Sequence, residues 1–151
     1  MRYITLQSVF LFLSVSIVQS LCGQSIWKQI SPTIPQVDIH DIYFIDQQEG
    51  WVSGEDGMVL HTTDGALNWE VLKPAGFNSV NGIYFIDSLV GYIASDRVYK
   101  TSDGGKSWDI SLTSGFAFDV SFLNPDTGFV GTISGKIYRT VNGGLDWEIK
   151  G

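Results

Sequence analysis

The sequence is poor in cysteine, proline and positive charge, and each shortage excludes a class of protein. Its 151 residues include one cysteine and four prolines, so a disulfide framework within one chain and a proline-rich rod are both excluded. Lysine and arginine together number 9 against 16 aspartates and glutamates, which gives a net charge of −7. We therefore predict a fold held by an apolar core, with no nucleic-acid partner and no anionic membrane surface as a partner.

Long apolar runs are also scarce, and the one that is present lies near the N-terminus. Residues 9–18 read VFLFLSVSIV, and Arg2 precedes them. A bilayer span needs about 20 apolar residues, whereas the apolar part of a secretory signal needs only about 7–15. We predict a secretory signal peptide over residues 1–23, cleaved after Ser20 or after Gly23, and a secreted or periplasmic protein with no membrane span.

The single cysteine, Cys22, offers a second interpretation of this leader. A cysteine just after an apolar run resembles the acylation site of a lipoprotein. The residue before it is Leu21, where lipoprotein signals carry Gly, Ala or Ser. A cleaved signal without a lipid anchor is therefore favoured, and anchoring through Cys22 is the alternative.

The remainder of the chain, residues 24–151, consists of one unit repeated three times. The repeats cover about residues 41–72, 82–112 and 119–150. Their conserved spacing of 39 residues is clearest at Trp69, Trp108 and Trp147. The second repeat contains four short runs rich in Ile, Val and Tyr, at 83–86, 92–94, 98–101 and 108–112. Such runs, separated by Gly, Asp and Ser, indicate strands, and four strands in about 40 residues make one propeller blade. We predict an all-β protein of three four-stranded antiparallel blades, forming an incomplete or self-assembling β-propeller.

Each repeat contains the same hairpin motif between its third and fourth strands. The copies read TTDGALNW at 62–69, TSDGGKSW at 101–108 and TVNGGLDW at 140–147. The Asp or Asn side chain can accept hydrogen bonds from N–H groups of the turn, and the glycines supply positive φ angles. The tryptophan is expected to bury its ring between neighbouring blades. Asp64 and Asp103 are predicted to cap turns rather than to bind calcium or catalyse a reaction, since Asn142 replaces them in the third copy.

These hairpins resemble Asp-box (BNR) repeats, with the pattern Ser/Thr-x-Asp-x-Gly-x-Thr-Trp, from which Ala66 departs in the first copy. A longer pattern of a phenylalanine followed by Gly and an aromatic residue recurs at Phe44/Gly50/Trp51, Phe85/Gly91/Tyr92 and Phe122/Gly128/Phe129. With the box it is similar to the photosystem II stability/assembly factor-like propellers, over residues 27–150. The resemblance implies loops at one face that bind a protein or glycan partner. It also implies, in photosynthetic members, a basic patch used in photosystem II assembly, which this acidic chain lacks.

Asp-box propellers also occur in sialidases and other glycosidases, so a glycoside hydrolase is the alternative function. A sialidase would need three arginines around a carboxylate, whereas residues 24–151 contain only Arg97 and Arg139, which the repeats place at equivalent positions before the third strand. The glutamates lie in turns or at strand starts, at Glu49, Glu55, Glu70 and Glu148. His40 and His61 lack further ligands at metal-binding spacing. We predict no enzyme activity, no cofactor, and no catalytic, cofactor-binding or metal-binding residues.

Three blades are fewer than the four to eight that closed propellers contain. Three arrangements would account for what covers the outer sheet faces. The favoured arrangement is that the chain is a truncated piece of a longer, six- or seven-bladed protein. The others are an open set of blades covered by a partner, and a homodimer that closes a six-bladed ring. Phe77, Phe116 and Phe118 lie between repeats and are expected to pack between blades rather than contact a ligand. The sequence thus predicts an exported, non-catalytic scaffold that binds a protein or glycan partner.

Overall fold

The computed structural model describes residues 37–72, 76–113 and 115–150. The predicted signal peptide and Cys22 lie outside the described residues. Within them the chain forms twelve strands, four per repeat. The first blade contains β1 (Ile39–Phe44), β2 (Gly50–Gly54), β3 (Val59–Thr62) and β4 (Glu70–Leu72). The second contains β5 (Gly82–Phe85), β6 (Gly91–Ala94), β7 (Val98–Thr101) and β8 (Asp109–Leu112). The third contains β9 (Ala117–Phe122), β10 (Gly128–Thr132), β11 (Ile137–Thr140) and β12 (Glu148–Ile149).

Each blade is a separate four-stranded sheet in which every strand pairs antiparallel with the next one in the chain. This confirms the predicted all-β class and the three four-stranded blades. Strand pairing of this kind needs only hairpins, because consecutive antiparallel strands can be joined by short turns. The repeat in the sequence is therefore a repeat of one meander.

The recurring phenylalanine and glycine have a steric cause. A Cβ atom placed on Gly91 would lie 2.6 Å from the ring of Phe85, which ends the neighbouring strand β5. Gly50 and Gly128 stand in the same relation to Phe44 and Phe122. The phenylalanine ring therefore lies across the backbone of the second strand, where only glycine leaves room for it. This contact explains why the two residues recur together.

Two of the three apolar clusters lie between blades, and the third, of Val52, Met58 and Leu60, lies within the first blade. One cluster joins the first blade to the second, and its fully buried members include Trp51, Val59 and Phe85. A second cluster joins the second blade to the third around Tyr92, Val98 and Phe122. Burial of such side chains contributes about 1.5–3 kcal/mol each, so each blade depends on its neighbours for stability.

The same aromatic contact forms the centre of both clusters. The rings of Trp51 and Phe85 stack with centroids 3.6 Å apart, and those of Tyr92 and Phe122 stack at 4.2 Å. The first ring in each pair also donates a hydrogen bond to the next blade. The Trp51 Nε1–H group donates to the Gly104 carbonyl at 3.3 Å, and the Tyr92 hydroxyl donates to the Gly143 carbonyl at 2.7 Å. Both acceptors belong to Asp-box hairpins, so the boxes take part in joining the blades.

The loops lie at two opposite ends of the strands. At one end, called here the box face, the Asp-box hairpins are bonded to the turns between first and second strands, as in the Gly65 N–H to Gln48 carbonyl bond of 2.8 Å. At the other end, the linker face, the turns between second and third strands meet the segments that connect blades. Two backbone hydrogen bonds are found there. The Ala117 N–H group donates to the Ser95 carbonyl at 2.8 Å, and the Ile133 N–H group donates to the Phe116 carbonyl at 3.1 Å.

We expect Tyr92→Phe to lower the free energy of unfolding by about 1 kcal/mol, because the stack on Phe122 stays while the hydroxyl bond to Gly143 is lost. Tyr92→Ala should cost about 3–5 kcal/mol because the stack is lost as well. Urea unfolding measures both. The control is Tyr138→Phe, since the Tyr138 hydroxyl has no hydrogen bond recorded within the described part of the chain. Equal losses for the two Tyr→Phe variants would contradict the role of the bond.

Candidate functional site

The three Asp-box hairpins share one hydrogen-bond pattern. In the second blade, Oδ1 of Asp103 accepts from the Ser107 N–H at 2.9 Å and from the Thr101 hydroxyl at 2.8 Å. The Thr101 hydroxyl oxygen in turn accepts from the Gly105 N–H at 3.0 Å. The first and third blades repeat these bonds around Asp64 and Asn142. The predicted turn-capping role of these side chains is thus confirmed.

The caps hold their carboxylates in the ionised form. Hydrogen bonds from the Ser107 side chain and then from its backbone lower the pKa of Asp103 from its usual 3.8 to about 2. The side-chain and backbone bonds of Asn68 lower the pKa of Asp64 in the same way. Each bond is made to the charged form, which is the physical reason for the direction. These groups are therefore poor general acids at neutral pH.

The turns need positive φ at two successive positions. Gly104 and Gly105 have φ of 78° and 93°, and Ala66 takes φ of 69° at the second of these positions in the first blade. A Cβ on Gly105 would lie 3.0 Å from Leu72 Cδ1 of the preceding blade. Glycine at this position therefore allows two blades to pack closely and also permits the positive φ of the turn. Ala66 adopts the same turn geometry at a cost of about 1–2 kcal/mol in backbone strain.

The box tryptophans are half-buried and stand edge-on to the phenylalanine of their own blade, with Trp108 and Phe85 at 6.1 Å and 81°. The Trp147 Nε1–H group reaches the preceding blade and donates to the Ser111 hydroxyl at 3.1 Å. The rings therefore lie at the seam between blades, as expected. They are exposed along one edge, whereas the fully buried aromatic rings are those of the second strands.

One sequence-based assignment is wrong. Arg97 and Arg139 are not equivalent, because Arg97 precedes β7 whereas Arg139 lies within β11 opposite Phe129. Register places Arg139 with His61 and Lys100, which lie opposite Trp51 and Tyr92. The repeat of 39 residues also pairs Arg139 with Lys100, so the equivalence of Arg97 and Arg139 did not follow from the repeat.

His61, Glu49 and Glu148 form local ion pairs, whereas His40 Nδ1 lies 3.2 Å from the Val80 carbonyl. His61 Nε2 lies 3.0 Å from Glu49 Oε1, and the imidazole stacks on Trp51 with centroids 4.7 Å apart. Glu148 pairs with Lys150 at 2.7 Å, and this bond lowers the pKa of the carboxyl. Among residues 37–72, 76–113 and 115–150 no group of three or more His, Cys, Asp or Glu side chains could hold a metal ion. In the same ranges no helix is long and apolar enough to cross a membrane.

The linker face carries exposed apolar side chains beside positive charge. Phe116 is 59% exposed and Ile133 is 73% exposed, and the backbone bond between them places the two residues side by side. Arg97 and Lys136 are exposed in the two turns that flank Phe116. These four residues are called the linker patch below. Clusters of exposed apolar and aromatic groups with arginine are typical of protein-binding surfaces.

The predicted packing of the linker phenylalanines is correct for one of the three. Phe77 is half-buried and meets Tyr99 edge-on at 4.5 Å, which places it in the seam between the first two blades. Phe116 and Phe118 are 59% and 65% exposed, so they do not pack between blades within the described residues. No sequence signal separated them, because all three lie between the repeats in stretches of similar composition, although Phe118 falls in β9 of the folded chain. Their surroundings differ only in the folded chain.

The fold and the three boxes define an Asp-box β-propeller protein. The family described as photosynthesis system II assembly factor YCF48 matches residues 19–150, and the chain belongs to that family. It is 37% identical over 49 residues to the photosystem II assembly lipoprotein Ycf48 of Synechococcus sp. (strain CC9902), which covers 31% of this chain and 15% of that protein. The solved structure of YCF48 bound to D1 peptide is similar at 28% identity and a TM-score of 0.66, over 75% of this chain and 39% of that one. The predicted resemblance is thereby confirmed.

The chain therefore spans less than half the length of the relatives it matches. An ancestral GH74 enzyme is also similar in fold, with a TM-score of 0.67 over 84% of this chain and 20% of that chain. Its identity of 13% supports likeness of fold alone. Blade architecture is shared between binding proteins and glycosidases, so the site and not the fold must carry the functional argument.

We expect Asp103→Asn to fold at neutral pH, because Asn142 holds the same position in the third blade. In the unchanged protein the Asp103 pKa is depressed, so its stabilisation is present above about pH 4 and is lost as the pH falls toward 2. The variant should lose less stability over that interval in urea titrations at a series of pH values. Asp103→Ala, which removes the acceptor, should be less stable at every pH. If the Asn variant lost as much stability as the unchanged protein between about pH 4 and pH 2, the role of this carboxylate would be refuted.

Proposed function

We propose that the protein is a non-catalytic scaffold that binds an extended segment of a protein partner through the linker patch. The observation that carries the proposal is the exposed pair Phe116 and Ile133 with Arg97 and Lys136 on either side. The relative bound to D1 peptide supports a peptide as the kind of ligand. A protein partner is therefore preferred to a glycan.

The linker patch differs from the corresponding surface of the first two blades. The turn between second and third strands carries Glu55 and Asp56 in the first blade and Asp96 beside Arg97 in the second, whereas in the third blade it carries Ile133 and Lys136 and no acid. An acidic segment would therefore be repelled by the first blade and attracted to Lys136 in the third. A ligand with one apolar side chain and a nearby carboxylate fits this distribution.

The carboxylates of the boxes fit a structural role better than a catalytic one. Oδ1 of Asp64 and Oδ1 of Asp103 each accept from a backbone N–H and a threonine hydroxyl, and the bonds depress both pKa values. A glycosidase needs one carboxyl with a raised pKa to act as general acid. The hydrogen bonds to Asp64 and Asp103 shift the pKa of both carboxyls in the opposite direction.

The protein is also proposed to be exported, with residues 1–23 as its signal peptide. Export is supported by the apolar run at 9–18 and is compatible with the lipoprotein name of the Synechococcus relative. A single cysteine within the leader suits an oxidising compartment, since no free thiol would remain after cleavage at Gly23.

Selection from a library of displayed linear peptides tests the binding site. We expect enriched peptides to combine an aromatic or aliphatic residue with Asp or Glu. Phe116→Asp should weaken their affinity at least roughly tenfold, about 1.4 kcal/mol, measured by fluorescence anisotropy. Phe116→Leu should retain most of the affinity because it keeps an apolar side chain.

The matched control is Leu145→Lys, a change at a side chain that is 77% exposed on the box face, where the second blade naturally has Lys106. It should leave binding unchanged. Peptides that bind the Phe116→Asp variant as well as the unchanged protein would refute the linker patch. If no peptide in the library bound the unchanged protein, the protein-binding function would be refuted.

The export proposal predicts the N-terminus of the protein recovered from the periplasm or medium of a bacterial host. Mass spectrometry should find a chain that begins at Leu21 or at Gln24, which correspond to cleavage after Ser20 or Gly23. A chain that begins at a lipid-modified Cys22 would show that the protein is anchored as a lipoprotein. An intact N-terminus in the cytoplasm would contradict export.

A further inference from the structure

The third blade carries two exposed aromatic rings where strand β9 begins. Phe116 is 59% exposed and Phe118 is 65% exposed, whereas Ala117 between them is fully buried at 0%. Alternate residues of an extended chain point to the same side, so the two rings stand on one side of the backbone while Ala117 packs in the core on the other. The apolar surface of the linker patch therefore continues beyond Phe116 to a second ring.

The other two blades have polar side chains at both positions. The register between first and second strands aligns the three blades at three pairs, Asp41 with Ser53, Gly82 with Ala94 and Asp119 with Gly131. By this alignment Phe118 corresponds to His40 and Asn81. Phe116 corresponds to Asp38 and Ser79. The blade fold does not require either ring, since two blades form without them.

The polar side chains at the position of Phe118 join each blade to the next. His40 Nδ1 lies 3.2 Å from the Val80 carbonyl, and the Asn81 Nδ2–H group donates to the Ala117 carbonyl at 2.9 Å. Phenylalanine has no hydrogen-bonding group and cannot take this role. An exposed ring in its place, beside a second exposed ring, has the character of a binding surface.

The backbone at these residues is already hydrogen-bonded. The Ala117 N–H group donates to the Ser95 carbonyl at 2.8 Å, and the Ala117 carbonyl accepts from Asn81. The Phe116 carbonyl accepts from the Ile133 N–H group at 3.1 Å. A ligand that adds a strand to a sheet edge needs free N–H and C=O groups, and these three groups are occupied. Side chains rather than backbone groups are therefore what this surface offers a ligand.

The spacing of the two rings matches that of an extended ligand. An extended chain rises about 3.3 Å per residue, so alternate residues lie about 6.6 Å apart. Phe116 and Phe118 are alternate residues, and an extended ligand presents its own alternate side chains at the same interval. Two apolar side chains separated by one residue can therefore pack on both rings at once, whereas adjacent side chains point to opposite sides.

The charges beside the rings determine where an acidic residue of the ligand fits. Lys136 belongs to the turn whose Ile133 is bonded to Phe116, whereas the exposed Asp119 directly follows Phe118. A carboxylate of the ligand is attracted at the Phe116 end and repelled at the Phe118 end. The expected segment therefore carries its acid next to the side chain that packs on Phe116.

We propose that Phe118 forms a second apolar subsite beside the linker patch, and that the two together bind an extended protein segment whose apolar side chains are separated by one residue. The inference rests on the proposed function, since it specifies the segment that the linker patch binds. Phe118 is a specificity-determining residue in this arrangement, because it selects the spacing of the two side chains. Phe116 contributes to every ligand of the patch.

Three fluorescein-labelled peptides test the spacing by fluorescence anisotropy with the purified full chain. GDFSFG has two phenylalanines separated by one residue, GDFFSG has the same composition with the phenylalanines adjacent, and GDFSSG has one phenylalanine. We expect the unchanged protein to bind GDFSFG at least roughly tenfold more tightly than either of the others, because only this peptide fills both subsites.

Phe118→Asn is the decisive variant, because Asn81 holds the same position in the second blade. It should lower the affinity for GDFSFG roughly tenfold, to that of GDFSSG, and leave the affinity for GDFSSG unchanged. Phe118→Leu should retain the preference for GDFSFG because it keeps an apolar side chain. The matched control is Leu89→Asn, at a side chain that is 56% exposed on the box face, and it should change neither affinity. Far-ultraviolet circular dichroism establishes that each variant is folded.

The outcomes separate this inference from the proposed function. A preference for GDFSFG that survives Phe118→Asn would overturn the second subsite. Equal affinities of the unchanged protein for GDFSFG and GDFFSG, or a failure of GDFSFG to bind, would also overturn it. If Phe116→Asp left the binding of all three peptides unchanged, the linker patch itself would be refuted.

Discussion

The contact on which the structure depends is the aromatic stack between consecutive blades. The two larger apolar clusters each join two blades, and the fully buried rings of Trp51 and Tyr92 lie against the phenylalanine of the following blade. Each ring also bonds to a carbonyl of the next Asp-box hairpin. The cap formed by Asp103 therefore stabilises more than its turn, because it fixes the carbonyl of Gly104 that the preceding blade requires. Turn chemistry and blade packing are parts of one interaction.

Much of the fold could be predicted from the sequence because its determinants are local. Strand runs, the turn glycines and the Asp64 cap depend on residues a few positions apart, and the period of 39 residues repeats them. The exposure of Phe116 could not be predicted in this way, since Phe77 has a similar local sequence and packs on Tyr99. The equivalence assigned to Arg97 and Arg139 failed because the two residues are 42 positions apart, whereas the period is 39 residues. The strand register pairs Arg139 with Lys100, as the period does.

The distribution of charge separates the two ends of the strands. The box face carries acids whose oxygens are used by the turns, such as Asp46 and Asp87, each of which accepts from two N–H groups. Those carboxylates have little freedom to meet a ligand. The linker face has fewer such constraints, and Arg97 forms only a long exposed contact of 3.7 Å with Asp96. Exposed ion pairs of this kind contribute about 0–1 kcal/mol, so Arg97 can exchange its partner at little cost.

Differences among the three blades are more informative about function than their common features. All three occupy the same scaffold, so a side chain that departs from its two counterparts is not required by the blade itself. Ile133 replaces the acids Glu55 and Asp96 on the linker face, and Phe129 stands at the position where Trp51 and Tyr92 carry a hydrogen-bond donor. Both changes remove polarity and leave apolar surface exposed or half-exposed, which costs solubility unless something covers it. The linker face of the third blade therefore differs from that of the first two in the direction expected of a surface that binds a protein partner.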